Sequence, residues 1–514
     1  MAELVLPAYP ARAHPPFTNL LKGVLDFDQY DDWLPDPVYG MDHARTSAPF
    51  LDRLSRSWQQ HRLSYAAPLT MAIPRRDSAG FLAAVLPLDV RLSAHAVVAA
   101  MAPRIGPKLP RDKVFGFEYR ADDAPFFSPP GDGLDRAWMQ LREAALFDKE
   151  SRIFVIDVSA FQRTASFDTL AARLREAGTY DEEIRFLGGI ARLPAGGLPS
   201  IDDAFAFVYN FYLRPIDLRL FDEHINFVRY RDEYLVIDTG PKAVVEALIQ
   251  KLGFGFRPVT RAGEGWVDLA DRWNPSMSLK AEKVTLDLIY GNLVGVHNCD
   301  TYDRTQKRCV TDYHEIKYRN KSFDGPTELF RLRPQQTPFD GLEILPILRA
   351  IHADRAAGVL LRPPFARAPQ KFLNYRRILA SAGGRRWLTQ ALQTAINTRV
   401  DWQLTWVAPL LSDCDSLNEA EIRLLRSVLN KPAFSPAVAW QVRLALARSS
   451  HLAPQDCWVL PAASEAPYIR RAAMLAAAYF AQRQAPAPWT AVTAAGFAEP
   501  ELQTLLASAI VGTA

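Results

Sequence analysis

Three acidic residues stand where the surrounding sequence is apolar. Asp157 ends the apolar run IFVID, while Asp232 and Glu233 interrupt the apolar and aromatic segment INFVRYRDEYLVIDT. A charged centre in such a segment breaks the strand pattern, and breaks of this kind mark turns or functional sites. Carboxylate oxygens suit Mg²⁺ or Mn²⁺, and two such ions about 4 Å apart stabilise the attacking and leaving oxygens of a nucleotidyl transfer. These acids therefore predict a two-metal site, provided that their strands are neighbours.

The segments around the acids predict the elements that position them. FDTLAARLREAG predicts a helix with Leu170 and Leu174 on one face, and IDDAFAFVYNFYLRPIDLRLF predicts a longer one. The acidic pair lies in the bend of the hairpin that follows. Upstream, the segment from Leu69 to Ile105 predicts a hairpin that leads into a helix. This alternation indicates an α+β core in which adjacent strands bring the carboxylates together.

Three of these segments resemble, in order and spacing, the signature motifs of one enzyme family. IFVIDVSAF, GLPSIDDAFAFVYNFYL and FVRYRDEYLVI resemble motifs A, B and C of reverse transcriptases. Their usual forms are Asp-x-x-x-aromatic, Leu-Pro-Gln-Gly followed by Leu-Ala-Asn-x-Tyr-Leu, and Tyr-x-Asp-Asp. Counting back from Asn210 puts Pro199 at the family's proline with no gap. The resemblance covers roughly residues 65 to 290 and is strongest to bacterial defence-associated reverse transcriptases of the abortive-infection and unknown groups.

The resemblance implies a role for each matching residue. Asp157, Asp232 and Glu233 would be the catalytic acids, and Asp157, Val158 and Asp232 would hold the metal. Phe161, four residues beyond Asp157, would be the steric gate that rejects a ribose 2′-hydroxyl. The residues that would contact the incoming nucleotide are Pro199, Arg75 and Arg76 in the fingers hairpin, and Lys283 in SLKAEKVTL, which resembles motif D.

Two motifs depart from the family pattern. Motif C has Glu233 in place of the second aspartate, and activity can survive this because the first acid is the main metal ligand in the family. Motif B has Ser200 and Ile201 in place of the usual Gln and Gly, followed by Asp202, Asp203 and Phe205. In the family this segment packs under the template base and the incoming nucleotide. An acidic, bulkier version suggests untemplated or restricted-sequence DNA synthesis.

The leading functional hypothesis is therefore an RNA-directed DNA polymerase, a nucleotidyltransferase that acts in antiphage defence. Its partners would be dNTPs, an RNA template or noncoding RNA, the DNA product, and either further copies of the chain or a partner reverse transcriptase. The rival hypothesis is a catalytically inactive palm that binds RNA or serves as an assembly scaffold. An RNA-templated RNA polymerase shares the palm, but the bulky Phe161 argues against it. The primer, whether a protein hydroxyl, RNA or DNA, is left open.

Length and composition divide the chain into three expected parts. The 514 residues exceed one typical domain. We expect an N-terminal extension over residues 1–64, reverse-transcriptase-like fingers and palm over 65–340, and an all-helical thumb or C-terminal domain over 341–514. NEAEIRLLRSVLN, AVAWQVRLALARS and YIRRAAMLAAAYFAQ have similar lengths. Their recurrence fits a short solenoid of the HEAT type, and an ordinary helical bundle fits about as well.

A basic stretch follows the expected palm. RPPFARAPQKFLNYRRILASAGGRRW interleaves aromatic residues with cations, which suits a thumb-like contact to nucleic acid. Solvated helix faces carry similar charge, so both interpretations stay open. The residues expected to bind nucleic acid are Arg376, Arg377, Arg385 and Arg386.

Bulk composition bounds the class of protein. Apolar residues make up 49% and charged residues 23% of the chain, which is typical of a folded globular protein. No run of about 18 apolar residues could span a bilayer, and four scattered cysteines agree with a reducing compartment, so we expect a cytoplasmic protein without membrane contact. His297, Cys299, Cys309 and His314 could offer zinc ligands, but their spacing matches no common closed site and isolated side chains are the default.

Overall fold

The computed structural model describes residues 2–9, 17–21, 47–65, 68–75, 78–110, 112–119, 152–157, 165–192, 197–199, 201–230, 233–238, 302–303, 308–309, 392–412, 417–430 and 433–452, with isolated positions 136, 137, 140, 389, 469, 472, 473 and 476. The chain forms two compact units. The first contains Met1–Phe27, Leu51–Ile73 and Asp77–Glu282, and the second contains Asp28–Phe50, Pro74–Arg76 and Lys283–Ala514. Across the described residues, no helix combines the length and the apolar character needed to cross a bilayer.

The first unit contains a four-stranded sheet. Its strands are β5 (Val114–Phe115), β6 (Arg152–Asp157), β7 (Asn226–Tyr230) and β8 (Glu233–Asp238), in the order β5-β7-β8-β6. β5 is parallel to β7, whereas β8 is antiparallel to both β7 and β6. Two residues separate β7 from β8, the length of the shortest common hairpin loops. The apolar, aromatic strands predicted from the sequence are therefore adjacent in one sheet.

Four of the helices described in the first unit are α2 (Leu88–Ile105), α3 (Phe167–Glu176), α4 (Asp181–Ala191) and α5 (Asp203–Asp222). Ser166 caps α3 by accepting a hydrogen bond from the Thr169 N–H at 3.1 Å. Leu170 and Leu174 of α3 are fully buried, as the helical pattern predicts. α5 contacts both α2 and α3, and its buried aromatic side chains are those of Phe205, Phe207, Tyr209 and Phe211. α4 instead contacts α2 and α3, so the four helices form one connected group.

The N-terminal strand joins the same unit. β1 (Ala2–Val5) pairs antiparallel with β2 (Arg62–Tyr65), directly after helix α1 (Ser47–Gln59). Leu4 packs against α4 at Gly189, where an added Cβ would lie 2.5 Å from the leucine side chain. Glu183, buried near the start of α4, accepts hydrogen bonds from the Tyr9 hydroxyl and from Arg104, both at 2.6 Å. Part of the expected extension over residues 1–64 thus packs on the body of the unit.

The hairpin predicted before α2 is present. β3 (Leu69–Arg75) pairs with β4 (Ser78–Val85) in a two-stranded sheet, and α2 begins three residues later. Thirteen of the 18 residues of α2 are buried, which explains why its apolar positions run around the helix. The predicted order of hairpin and helix is confirmed.

In the second unit, the described residues are mainly helical. α6 (Asp401–Ser412) and α7 (Glu419–Leu429) both contact α8 (Pro436–Arg448). α7 begins with a capping box in which Asn418 and Glu421 each accept the other's backbone N–H. β9 (Tyr302–Asp303) and β10 (Arg308–Cys309) form a short antiparallel pair. Two of the three predicted repeat helices are described as α7 and α8, the boundary expected near residue 340 lies outside the described residues, and the HEAT-type arrangement stays a prediction.

Candidate functional site

The ladder between β6 and β8 brings two of the predicted acids to the same rung. β6 ends at Asp157, whose Cα partner is Glu233, the first residue of β8. Glu233 is also the partner of Tyr230, the last residue of β7. Directly opposed residues of an antiparallel ladder have Cα atoms about 4.5–5.5 Å apart. The backbone therefore brings the end of β6 beside the β7–β8 connection, whose second residue is Asp232.

The pleat of the sheet assigns this rung to one face. Tyr234 and Val236 of β8 are fully buried, and the Tyr234 hydroxyl donates to Asp217 on α5, so their face of β8 is the one that α5 covers. Successive strand positions alternate between faces, and opposed positions share one. Positions 157 and 233 therefore belong to the face opposite α5. The two acidic positions share a face that is distinct from the helix-covered one.

We call the pair of Asp157 and Glu233 the acidic rung. A buried polar cluster lies one rung along the ladder, on the face of the sheet that α5 covers. The Arg229 guanidinium donates to both carboxylate oxygens of Asp217, at 2.9 and 2.7 Å, and to the Asn210 side-chain oxygen at 2.7 Å. The Tyr234 hydroxyl donates to Asp217 at 2.7 Å. Arg229, Asp217 and Tyr234 are fully buried. We call these four residues, Asn210, Asp217, Arg229 and Tyr234, the hairpin clamp.

The ionisation of the clamp follows from its burial. Burial raises the pKa of the Asp217 carboxyl, and the opposing effects of Arg229 and of the Tyr234 hydroxyl leave it above its usual value. Burial and the neighbouring Asp217 likewise hold the pKa of the Tyr234 hydroxyl well above its usual value. Tyr234 therefore remains a protonated donor at physiological pH.

Asp202, one of the departures in motif B, has a structural role. It caps the N-terminus of α5 by accepting the Phe205 N–H at 3.1 Å, and its Oδ2 lies 3.2 Å from His95 Nε2 and 3.4 Å from Arg91 Nε on α2. Burial acts to raise its pKa, but His95, Arg91 and the Phe205 N–H outweigh burial and hold the pKa below its usual value. Phe205 is itself fully buried. Both departures are thus explained by packing at the start of α5.

Pro199, the motif B proline, lies just before this cap. It is buried, and its carbonyl oxygen accepts a hydrogen bond from the Tyr209 hydroxyl at 2.7 Å. The bond spans two turns of α5 and ties the preceding segment to the helix. The position of the segment before α5 is therefore determined at both Pro199 and Asp202.

Other predicted site residues are described only in part or not at all. The structure describes the backbone of Asp157 and Glu233 at the ladder, of Arg75 at the end of β3, and of Cys309 in β10. In the described part of the chain no group of three or more metal-ligating side chains is found. The predicted residues that lie outside the described ones are Arg76, Val158, Phe161, Asp232, Lys283, His297, Cys299, His314, Arg376, Arg377, Arg385 and Arg386.

Two buried polar clusters were not predicted from the sequence. The hairpin clamp had a sequence signal, because Arg229 stands in an apolar, aromatic strand and Asp217 in a largely apolar helix. The role of Asp202 was only partly predictable. An aspartate just before a helix predicts a cap, but no sequence pattern indicates its contacts with α2.

Comparisons with known proteins do not assign the chain to a family. No protein-family model matches it, and no curated protein matches it significantly.

Proposed function

We propose that this chain is an RNA-directed DNA polymerase built on a reverse-transcriptase-like palm, acting in antiphage defence. The observation that carries the proposal is the rung on which β6 ends at Asp157 opposite Glu233, beside a hairpin connection that contains Asp232. Asp157 thereby becomes the backbone neighbour of Glu233, although the two acids are far apart in sequence. A two-metal polymerase requires such convergence at the edge of a sheet.

The donor set fits hard divalent cations. Carboxylates without nearby histidine or thiolate in the motif are ligands of the type that Mg²⁺ and Mn²⁺ prefer. In the proposal, Asp157, the Val158 carbonyl and Asp232 hold the metal, and Glu233 completes the acidic rung. Two bound ions would stabilise the charge that develops on the attacking and leaving oxygens. The protein's part is to hold positions 157 and 233 on adjacent strands, on the face of the sheet away from α5.

The remaining assigned residues would bind the nucleotide and the nucleic acid. Arg75, Arg76 and Lys283 are cations suited to the triphosphate, and Phe161 and Pro199 would border the sugar and base. The second unit would hold RNA, a partner reverse transcriptase or further copies of the chain, with a contact list of Arg376, Arg377, Arg385 and Arg386. A cytoplasmic location is part of the proposal.

The proposal of untemplated or restricted-sequence synthesis now depends on fewer residues. Asp202 and Phe205 have packing roles at the start of α5, so their departure from the motif carries no information about the template. Ser200, Ile201 and Asp203 are the departures that still bear on it. Templated copying of a noncoding RNA and untemplated addition therefore both remain within the proposed activity.

Nucleotide incorporation by the purified full-length protein tests the proposed function. Each labelled dNTP is supplied alone and then all four together, with Mg²⁺ or Mn²⁺, before and after nuclease treatment of the protein. We expect metal-dependent labelled DNA that EDTA abolishes. Loss of synthesis after RNase treatment would indicate a bound template, whereas unaffected synthesis from one dNTP would indicate untemplated addition. No labelled DNA under any condition, together with full phage defence by Asp157→Asn, would favour the inactive scaffold.

Sugar selection separates a DNA polymerase from an RNA polymerase on the same palm. The proposed role of Phe161 is to exclude the ribose 2′-hydroxyl, so Phe161→Ala should increase incorporation of ribonucleotides relative to deoxyribonucleotides. Competition between labelled dNTP and NTP measures that ratio. An unchanged preference would count against the assignment of Phe161 as the gate.

A further inference from the structure

The hairpin clamp joins three elements through one carboxylate. Asp217 lies on α5, Arg229 on β7 and Tyr234 on β8, and both strand residues donate to Asp217. Arg229 and Tyr234 are themselves Cα partners in the β7–β8 ladder. The clamp therefore attaches both strands of the hairpin to the helix at a single rung. That rung is the next one below Tyr230 and Glu233, where the acidic connection begins.

The spacing of Asn210 and Asp217 on α5 matches the position of this rung. Asn210 and Asp217 are seven residues apart, which places them on the same side of the helix. Arg229 spans both of them, with two bonds to Asp217 and one to Asn210. The planar guanidinium can satisfy this set only in one orientation. The contacts constrain both the height and the rotation of β7 on α5.

Stability alone does not account for a buried charged cluster. Replacing a buried ion pair by apolar residues of similar volume is often neutral or stabilising. The directional bonds do, however, specify register. A slip of one residue between β7 and β8 would move one of the paired positions, 229 or 234, to the face opposite α5. The cluster would then lose its partners inside the core.

We propose that Asn210, Asp217, Arg229 and Tyr234 are positioning residues that hold the β7–β8 hairpin in one register and at one height on α5. The consequence for metal binding by Asp157, Asp232 and Glu233 rests on the proposed function. The clamp itself is a claim about the hairpin. Loss of any clamp bond should loosen residues 226–238 before it unfolds the unit.

Tyr234→Phe and Tyr209→Phe form a matched pair of test variants. Each removes one buried hydroxyl hydrogen bond of 2.7 Å that involves α5, but only Tyr234 belongs to the clamp. Hydrogen exchange of peptides that cover residues 226–238 is measured in the metal-free full-length protein. We expect Tyr234→Phe to speed exchange there about tenfold, the change for one charge-assisted bond, and Tyr209→Phe to leave it unchanged. Equal exchange in the two variants would overturn the proposal.

The apolar double variant Asp217→Leu/Arg229→Met removes the clamp without leaving a lone buried charge. Its melting temperature should stay near that of the wild type, while exchange of residues 226–238 rises and Mn²⁺ binds several-fold more weakly. Wild-type exchange and Mn²⁺ affinity in a folded double variant would overturn the clamp. Equal Mn²⁺ affinity in wild type and Asp157→Asn would instead refute the metal site, and hydrogen exchange would still decide the clamp.

Discussion

Two buried aspartates of helix α5, the N-cap Asp202 and the internal Asp217, have different charged and polar neighbours. Asp202, at its N-terminus, has a backbone N–H, Arg91 and His95 within reach, and its pKa lies below the usual value. Asp217, in the body of the helix, has Arg229 and the Tyr234 hydroxyl, and its pKa lies above the usual value. One helix thus stabilises the ionised form of one carboxyl and disfavours that of the other.

The pKa values of the two aspartates differ because Asp202 lies at a helix terminus and because its cation is partly exposed to solvent. The free N–H groups at a helix start stabilise an anion, whereas the body of the helix offers no unpaired donor. Arg91 is 17% exposed and can be partly hydrated, but Arg229 is fully buried. Loss of Arg229 alone should therefore be costly, because it leaves the buried Asp217 without a cation. Loss of Arg91 alone should cost less, because Asp202 keeps His95 and the Phe205 N–H.

The largest expected effect distinguishes the two arginines. Arg229→Met leaves Asp217 buried without its cation and should lower the free energy of unfolding by about 3–5 kcal/mol. Arg91→Met leaves Asp202 with its cap and His95, so about 1 kcal/mol or less is expected. Urea denaturation of both variants gives the comparison. Equal costs would remove the distinction between the two clusters.

Loss of the cap should have an intermediate effect. Asp202→Ala removes the hydrogen bond to the Phe205 N–H and the ionic contacts to α2, at a cost of about 2 kcal/mol. Asp222→Ala changes an exposed aspartate at the last residue of α5, where a negative charge is unfavourable to the helix dipole, and should be neutral or slightly stabilising. Similar unfolding free energies for both variants would contradict the capping role of Asp202.

The smallest effect is a difference in pH dependence. Because the folded-state pKa of Asp202 is lowered, its stabilisation is present above its usual value of 3.8 and is lost as the pH falls through the folded-state pKa. The cost of Asp202→Asn should therefore shrink in acid. The pKa of Asp217 is raised, so the cost of Asp217→Asn should grow as the pH falls toward 3.8. The free energy of unfolding of both variants and of the wild type is measured at pH 7, 5 and 3. Costs that change in the same direction for the two variants would contradict the prediction.

Local elements of this fold were predictable, because their signals lie within single segments. The period of Leu170 and Leu174 predicted α3, and the apolar aromatic run around Tyr230 predicted the hairpin. α4 was not predicted, since the adjacent Gly188 and Gly189 lower helix propensity inside it. The pairing of β1 with β2 was also missed, because it joins residues about 60 positions apart.

In the candidate site, spacing along the sequence predicted which positions are neighbours, whereas contacts that depend on packing were not predicted. Motif order grouped Asp157 with Glu233, and the ladder brings these two positions to one rung; their role as metal ligands stays a prediction. The partners of Arg229 depend on how α5 lies against the sheet, which no local pattern reports. Asp202 was interpreted as a functional departure, although an aspartate before a helix is also the usual cap.

The most direct test of the central claim compares the two ends of one ladder. Asp157 pairs with Glu233 at one end, and Asp238 pairs with Arg152 at the other, five residues or about 17 Å away. The variants Asp157→Asn and Asp238→Asn are each assayed for metal-dependent dNTP incorporation after circular dichroism confirms folding. We predict that Asp157→Asn lowers incorporation at least about 100-fold, whereas Asp238→Asn retains wild-type activity. Equal incorporation by the two variants would contradict a catalytic site at the acidic rung.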